Sequence, residues 1–167
     1  KDYFKKLAEK KVNAIAFEFI MDEYRQLSLV RLIGEIAGRI SILYGAELLG
    51  KSNGLMLGGI TGVRPTEVVI LGAGIVGEFA TKAAIGLGAS VKVFDNSLSK
   101  LRRLNTLVDS RVPTSIIEPK ELTKSLRRAD VVIGALPRLN MPVIVTEEMV
   151  KVMKKGSVIV DLTIDYG

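Results

Sequence analysis

The sequence contains no cysteine, no histidine and no tryptophan. Without cysteine it can form no disulfide, hold no thiolate-bound metal and use no thiol nucleophile. Without histidine it lacks the side chain that most often serves as general base and as metal ligand near neutral pH. Chemistry confined to these residues must run on carboxylates, lysines, tyrosines or a bound cofactor, and no metal site is expected. Aromatic residues make up only 5% and are not interleaved with the basic ones, which argues against a nucleic-acid surface despite a net charge of +6. Lysines and arginines are scattered, apart from pairs such as Lys154-Lys155 and Arg127-Arg128. Such a distribution suits a solvated face that also favours anionic ligands. No apolar run reaches the ~18–20 residues needed to span a bilayer. The charged opening stretch 1–11 has no signal-peptide pattern. The expectation is a cytoplasmic protein with neither a membrane nor a nucleic-acid partner.

What is present is apolar material in a regular order. Hydrophobic residues are 48% of the 167, enough for a sizeable core. Residues 3–10 show helical spacing, and 12–20 reads as a buried strand because almost every position is apolar. From 29 to 49, apolar residues at 29, 32, 33, 36, 40, 43 and 44 predict a helix of about six turns. Gly34 and Gly38 share one face of it, and each costs about 1 kcal/mol relative to alanine, so either another backbone or a ligand comes close there. The glycine-rich stretch 51–65 reads as loops and a hairpin. After it, short valine- and isoleucine-rich runs at 68–71, 91–94, 131–133 and 158–160 alternate with amphipathic stretches at 76–87, 99–108, 119–128 and 146–153. Strands apolar on both faces, alternating with helices, predict an α/β fold with a parallel sheet covered on both sides.

The chemistry sits where the first of these strands ends. Val68-Val69-Ile70-Leu71 runs directly into Gly72-Ala73-Gly74-Ile75-Val76-Gly77, and a helix follows at once. Alone, G-x-G-x-x-G is weak. Here a buried strand precedes it, a helix starts within it, a second strand follows, and Asp95 closes that strand roughly 20 residues on, as dinucleotide-binding folds require. Gly72 permits the tight turn, Gly74 lets a pyrophosphate approach the backbone, and Gly77 lets the helix pack on the sheet. The helix start offers unpaired amide hydrogens and a partial positive charge to the phosphates. Asp95 can accept from ribose hydroxyls and would repel a 2′-phosphate, so NAD is favoured over NADP. A methionine-derived cofactor also uses a glycine loop and an acidic second strand, but the spacing through Gly77 argues against it. The pattern predicts a Rossmann-type doubly wound parallel sheet with a long N-terminal connecting helix. Lys100 can touch adenosine or phosphate, or be an exposed helix residue. Gly134-Ala135-Leu136-Pro137 and Asp161-Leu162-Thr163-Ile164-Asp165 leave later strands at their carboxyl ends, where open α/β sheets place ligands. Asp165 would lie towards the nicotinamide end, or serve only as a loop or capping aspartate.

Five blocks in order resemble the alanine dehydrogenase and nicotinamide nucleotide transhydrogenase family. They are Gly34-Glu35-Ile36-Ala37-Gly38-Arg39, Met56-Leu57-Gly58-Gly59-Ile60-Thr61-Gly62-Val63, the glycine loop, Ala129-Asp130-Val131-Val132-Ile133-Gly134-Ala135, and Lys155-Gly156-Ser157-Val158-Ile159-Val160-Asp161. The ending Asp161-Leu162-Thr163-Ile164-Asp165 is more similar to the alanine dehydrogenase branch, and the transhydrogenase branch remains the alternative. The resemblance implies cofactor contacts from Gly72, Gly74, Ile75, Val76, Gly77, Asp95, Lys100, Leu136, Pro137, Leu162, Thr163, Ile164 and Asp165, with Asp165 also in the active site. Two positions depart from the family pattern: Gly34 stands where a cofactor-touching serine is usual, and Tyr166 where a glutamine is usual. The implied activity is reversible oxidative deamination of L-alanine to pyruvate and ammonia with NAD, in a homo-oligomer. A histidine, a lysine and an arginine from a separate substrate domain would bind and protonate the small-molecule substrate. The expected division is 1–27 as the tail of that domain and 28–167 as the NAD-binding domain of a longer enzyme. By itself the chain would then bind NAD(H) without turning alanine over.

Overall fold

A computed structural model describes residues 2–25, 27–108, 112–136 and 143–164. Pro137 and Asp165 to Gly167 therefore lie outside the described residues. The chain divides into two compact units, Lys1–Ile33 and Gly34–Gly167.

The first unit contains α1 (Asp2–Glu9), a single 3-10 turn at Phe17–Phe19, and the start of α2 (Ser28–Asn53). The strand expected over 12–20 does not form: 12–16 has no regular structure, and Ile15 and Phe19 are 81% and 77% exposed. A strand needs a neighbour to take its N–H and C=O groups. Among the described residues none pairs with this stretch. Apolar composition alone therefore leaves it irregular.

The second unit is a five-stranded, all-parallel sheet in the order β3-β2-β1-β4-β5. The strands are β1 (Glu67–Leu71), β2 (Ser90–Phe94), β3 (Thr114–Ser115), β4 (Val131–Gly134) and β5 (Val158–Asp161). Four match the apolar runs read from sequence. The fifth, β3, is two polar residues long and carries no periodic signal of its own; it exists because β2 offers it a ladder at Val93 and Phe94. The helices between are α3 (Ile75–Gly86), α4 (Leu98–Leu107), α5 (Pro119–Arg128) and α6 (Glu147–Lys151).

Alternation along β1 shows both faces covered. Val68 and Ile70 join Ala80, Ala84, Leu101 and Leu104, from α3 and α4, together with Ile42 and Leu49 from α2. Val69 and Leu71 join Leu122 and Leu126 of α5, with Met149 and Met153 packed against them. Helices on both faces of a parallel sheet make this a doubly wound, Rossmann-type α/β fold.

In this unit α2 presents its small residues to α3. A side-chain carbon built on Gly38 would stand 2.4 Å from the Val76 carbonyl oxygen, and one on Gly34 would stand 3.0 Å from the Ile75 side chain. Close helix packing accounts for both glycines. Along α2 in this unit, Ile36, Ile40, Leu43, Tyr44 and Leu48 are exposed.

The 51–65 region is not a hairpin. α2 continues to Asn53, and the loop after it is fastened by Thr66: the Gly58 N–H donates to Thr66 Oγ1 at 2.8 Å, and the Thr66 N–H donates to the Gly58 carbonyl at 2.9 Å. The Gly59 N–H donates to the Leu87 carbonyl at 3.2 Å, tying this loop to the end of α3.

Candidate nucleotide-binding site

Every parallel strand ends at the same edge of the sheet, and the chain reverses its direction of strand addition between β1 and β4. Ligands of open α/β sheets bind outside that switch point. Here it is built from the Gly72–Gly77 loop after β1 and from Ala135 and Leu136 after β4. The Gly72 N–H donates to the Phe94 carbonyl at 2.7 Å, and the Ala135 N–H donates to the Leu71 carbonyl at 2.8 Å, which continues the ladders past the strand ends.

The three loop glycines do different things. Gly72 has φ +117, and a side-chain carbon on it would meet the Ala135 carbonyl oxygen at 2.5 Å. On Gly77 the same carbon would meet the Gly72 carbonyl oxygen at 1.8 Å. Both are required by the protein itself. Gly74 is not: its φ and ψ are −75 and −165, open to any residue, and a carbon built there has nothing within 4 Å. Among the described residues, the space beside Gly74 is clear.

Gly74 is also the N-cap of α3, and it has no side chain to cap it. The N–H groups of the first helical turn have no intrahelical acceptor. Ile75, Val76 and Gly77 therefore aim donors, with the positive end of the helix dipole, at this clear space. Glu78, in the same turn, points away into a buried ion-paired group: it is 1% exposed, with Lys82 at 2.8 Å and Arg103 at 3.2 Å. It braces α3 on α4.

Asp95 follows β2 and is buried. Its Oδ2 accepts from the Ala73 N–H at 2.8 Å, and its Oδ1 accepts from the Ser97 N–H at 2.8 Å. One carboxylate thus joins the glycine loop to the turn that starts α4. A carboxylate has about four acceptor positions, so capacity remains for hydroxyl donors. Lys100 is half-buried in the first turn of α4, where its N–H donates to Ser97 Oγ at 3.4 Å. Leu136 is half-buried against the α5 face of the sheet.

After β5 the chain turns through Leu162, Thr163 and Ile164. The Leu162 N–H donates to the Gly134 carbonyl at 3.0 Å. Leu162 and Ile164 are exposed and Thr163 is half-buried. The site residues from Gly72 to Leu136 and Leu162 to Ile164 thus share one edge of the sheet, while Pro137 and Asp165 lie outside the described residues. Sequence reasoning missed Asp95 as a loop brace, Ser97 as its other partner, and Asp161 as the acceptor that holds the turn after β5. An Asp-x-Thr at a strand end is the turn signal that points to the last. Away from the site, the Glu121 carboxyl on α5 is held below its ordinary range by the hydrogen bond and charge of Lys92, and that of Glu148 on α6 by its own backbone amide and Thr146. Among the described residues no acidic cluster could hold a metal, and no helix is long and apolar enough to cross a membrane.

Residues 41–167 match the family model for the C-terminal domain of alanine dehydrogenase/PNT. The chain belongs to that family. It is 42% identical to alanine dehydrogenase of Methanococcus maripaludis over 98% of this chain and 45% of the relative, and 42% identical to alanine dehydrogenase 2 of Staphylococcus aureus over 96% and 45%. The chain therefore spans under half the length of these curated relatives. Its fold is similar to a solved L-alanine dehydrogenase, with a TM-score of 0.89 and 39% identity over 100% of this chain and 48% of that one. A transhydrogenase from Sinorhizobium meliloti is more distant, at a TM-score of 0.66 and 25% identity over 80% and 40%.

The family implies a nicotinamide nucleotide cofactor, and the residues present fit one. Gly74 keeps clear the space a pyrophosphate needs, α3 supplies the amide donors, and the Asp95 carboxylate stands one strand over.

Proposed function

We propose that the full-length protein is an NAD-dependent L-alanine dehydrogenase, catalysing reversible oxidative deamination of L-alanine to pyruvate and ammonia, and that this chain is its NAD-binding domain. The observation that carries the proposal is the 42% identity to alanine dehydrogenases over nearly the whole chain. In this reading 1–27 ends the substrate domain and 28–167 holds the cofactor.

The amides of Ile75, Val76 and Gly77 bind the pyrophosphate, with Gly74 admitting it. Asp95 accepts from the ribose hydroxyls, which favours NAD, and Lys100 lies beside the adenosine end. Leu136, Pro137, Leu162, Thr163 and Ile164 flank the dinucleotide and exclude water from it. Asp165 is the active-site carboxylate of this chain. Bound NAD supplies an acceptor for the substrate hydride. The rest of the polypeptide supplies the groups that hold the amino acid, so this chain alone binds NAD(H) but does not oxidise alanine. Direct transfer needs the two reactants held within a few tenths of an ångström of contact geometry, which one open half cannot achieve.

The assay is NADH formation, followed at its absorbance band, with the full-length protein. Alanine-dependent NADH production is expected from the full-length protein and none from residues 1–167 alone. No production by the intact protein would overturn the assignment.

We further propose a cytoplasmic homo-oligomer. The exposed apolar side chains Ile36, Ile40, Tyr44 and Leu48 on α2 support self-association, which would cover them. Sedimentation of the full-length protein is expected to give a mass of two subunits or more; a monomer at micromolar concentration would count against it.

A further inference from the structure

The last residue of β5 has an arrangement that the cofactor contacts do not use. Asp161 pairs in register with Gly134, the last residue of β4. Its carboxylate leans across that neighbour: a side-chain carbon built on Gly134 would stand 2.8 Å from Asp161 Oδ1. A larger residue at position 134 would displace the Asp161 carboxylate from this position. The same Oδ1 accepts twice from Thr163, from its N–H at 2.9 Å and from its Oγ1 hydroxyl at 2.8 Å. Together with the bond from the Leu162 N–H to the Gly134 carbonyl, these contacts fix the first turn that leaves the sheet.

A surface aspartate at a strand end ordinarily points to solvent. This one is exposed, yet its carboxylate lies beside Gly134 of the neighbouring strand and holds the backbone and side chain of a residue two positions on. We propose that Asp161 is a positioning residue: its carboxylate sets the path of Leu162, Thr163 and Ile164 across the nicotinamide end of the site, and acts on the reaction only through them. The inference rests on the NAD-binding reading above. A ligand that lacks the nicotinamide ring should not feel the change, whereas hydride transfer should. Asparagine retains an oxygen that can accept both Thr163 donors, although neutral acceptors make weaker bonds than charged ones. Alanine retains none.

The test uses the full-length protein, with ADP-ribose and NAD as probes and alanine oxidation as the rate. In Asp161→Ala, ADP-ribose affinity is expected to stay within about twofold, while kcat falls at least about tenfold, since small misplacements of a reacting group are costly. Asp161→Asn is expected to retain kcat within about threefold. Thr163→Val, which removes only the hydroxyl donor, gives a second route should the alanine variant not fold; it should lower kcat while sparing ADP-ribose. Unchanged kcat in Asp161→Ala, or ADP-ribose binding that weakens in step with NAD binding, would overturn the positioning role. Failure of the wild-type protein to bind ADP-ribose at all would instead overturn the nucleotide reading.

Discussion

Replacing Gly74 by valine is expected to abolish dinucleotide binding while leaving the fold intact. The two halves of this expectation come from the same geometry. The backbone at Gly74 has φ −75 and ψ −165, which valine adopts without strain, and none of the described residues comes within 4 Å of where the new carbon would go. The cost to the fold is the poorer N-cap that valine makes, about 1 kcal/mol. The branched side chain would nevertheless fill the space in front of the first-turn amides of α3. A pyrophosphate held there would lose both its approach to the backbone and its amide donors. Affinity for NADH, read from its fluorescence on titration, should fall at least about 100-fold, equivalent to ~2.7 kcal/mol. The melting temperature without ligand should fall by no more than about 4 °C, the effect of the weaker cap. Undiminished binding would show that the loop is not the site.

The contrast is Gly77→Ala. One carbon there would sit 1.8 Å from the Gly72 carbonyl oxygen, so α3 or the loop must move. Overpacking of a rigid backbone contact costs about 1–3 kcal/mol or more, and the melting temperature should drop by roughly 5–10 °C. Two glycines three residues apart thus separate by readout: one variant folds and fails to bind, the other fails first in stability. Were both glycines there only to make the turn, the two variants would behave alike.

Much of this was legible in the chain itself. β1 and β4 carry unbroken runs of valine, isoleucine and leucine because they are buried on both faces, and β2 and the edge strand β5 keep enough valine, despite Lys92 and the exposed Ile159, to be read the same way. The glycine loop was legible because its physical demands, a positive φ at Gly72 and contact of Gly77 with Gly72, admit almost no other residue. What could not be read depends on partners distant in sequence. β3 is a strand only because β2 lies beside it. Residues 12–20 look like a strand but have no neighbour among the described residues. Gly34 and Gly38 read equally well as ligand contacts until α3 is seen against them. The second bond of Asp95, to Ala73, closes over 22 positions of chain and leaves no trace in local pattern.

That second bond alters what Asp95 is expected to do. As a ribose acceptor alone, its loss would relax the preference for NAD and nothing more. The structure gives the carboxylate two further bonds, from the Ala73 and Ser97 N–H groups at 2.8 Å each, in a buried setting. Hydrogen bonds to a charged acceptor contribute about 1.5–3 kcal/mol each, and their loss leaves buried donors unpaired. Asp95→Ala should therefore loosen the glycine loop as well as the ribose contact. Wild-type protein is expected to bind NAD at least about tenfold more tightly than NADP, because a 2′-phosphate beside a carboxylate is repelled and desolvated. In the alanine variant NAD affinity should fall more than about tenfold. NADP gains relief from repulsion and loses the loop brace, so its affinity should change little and the preference should collapse without becoming a strong preference for NADP. Asp95→Asn should behave similarly, because an amide has only one acceptor oxygen and must turn its NH2 towards one of the two backbone donors. Equal wild-type affinity for the two cofactors would remove the discriminating role. NADP binding that rises well above the wild-type value in the alanine variant would remove the brace, since it would show a loop that holds its shape without the carboxylate.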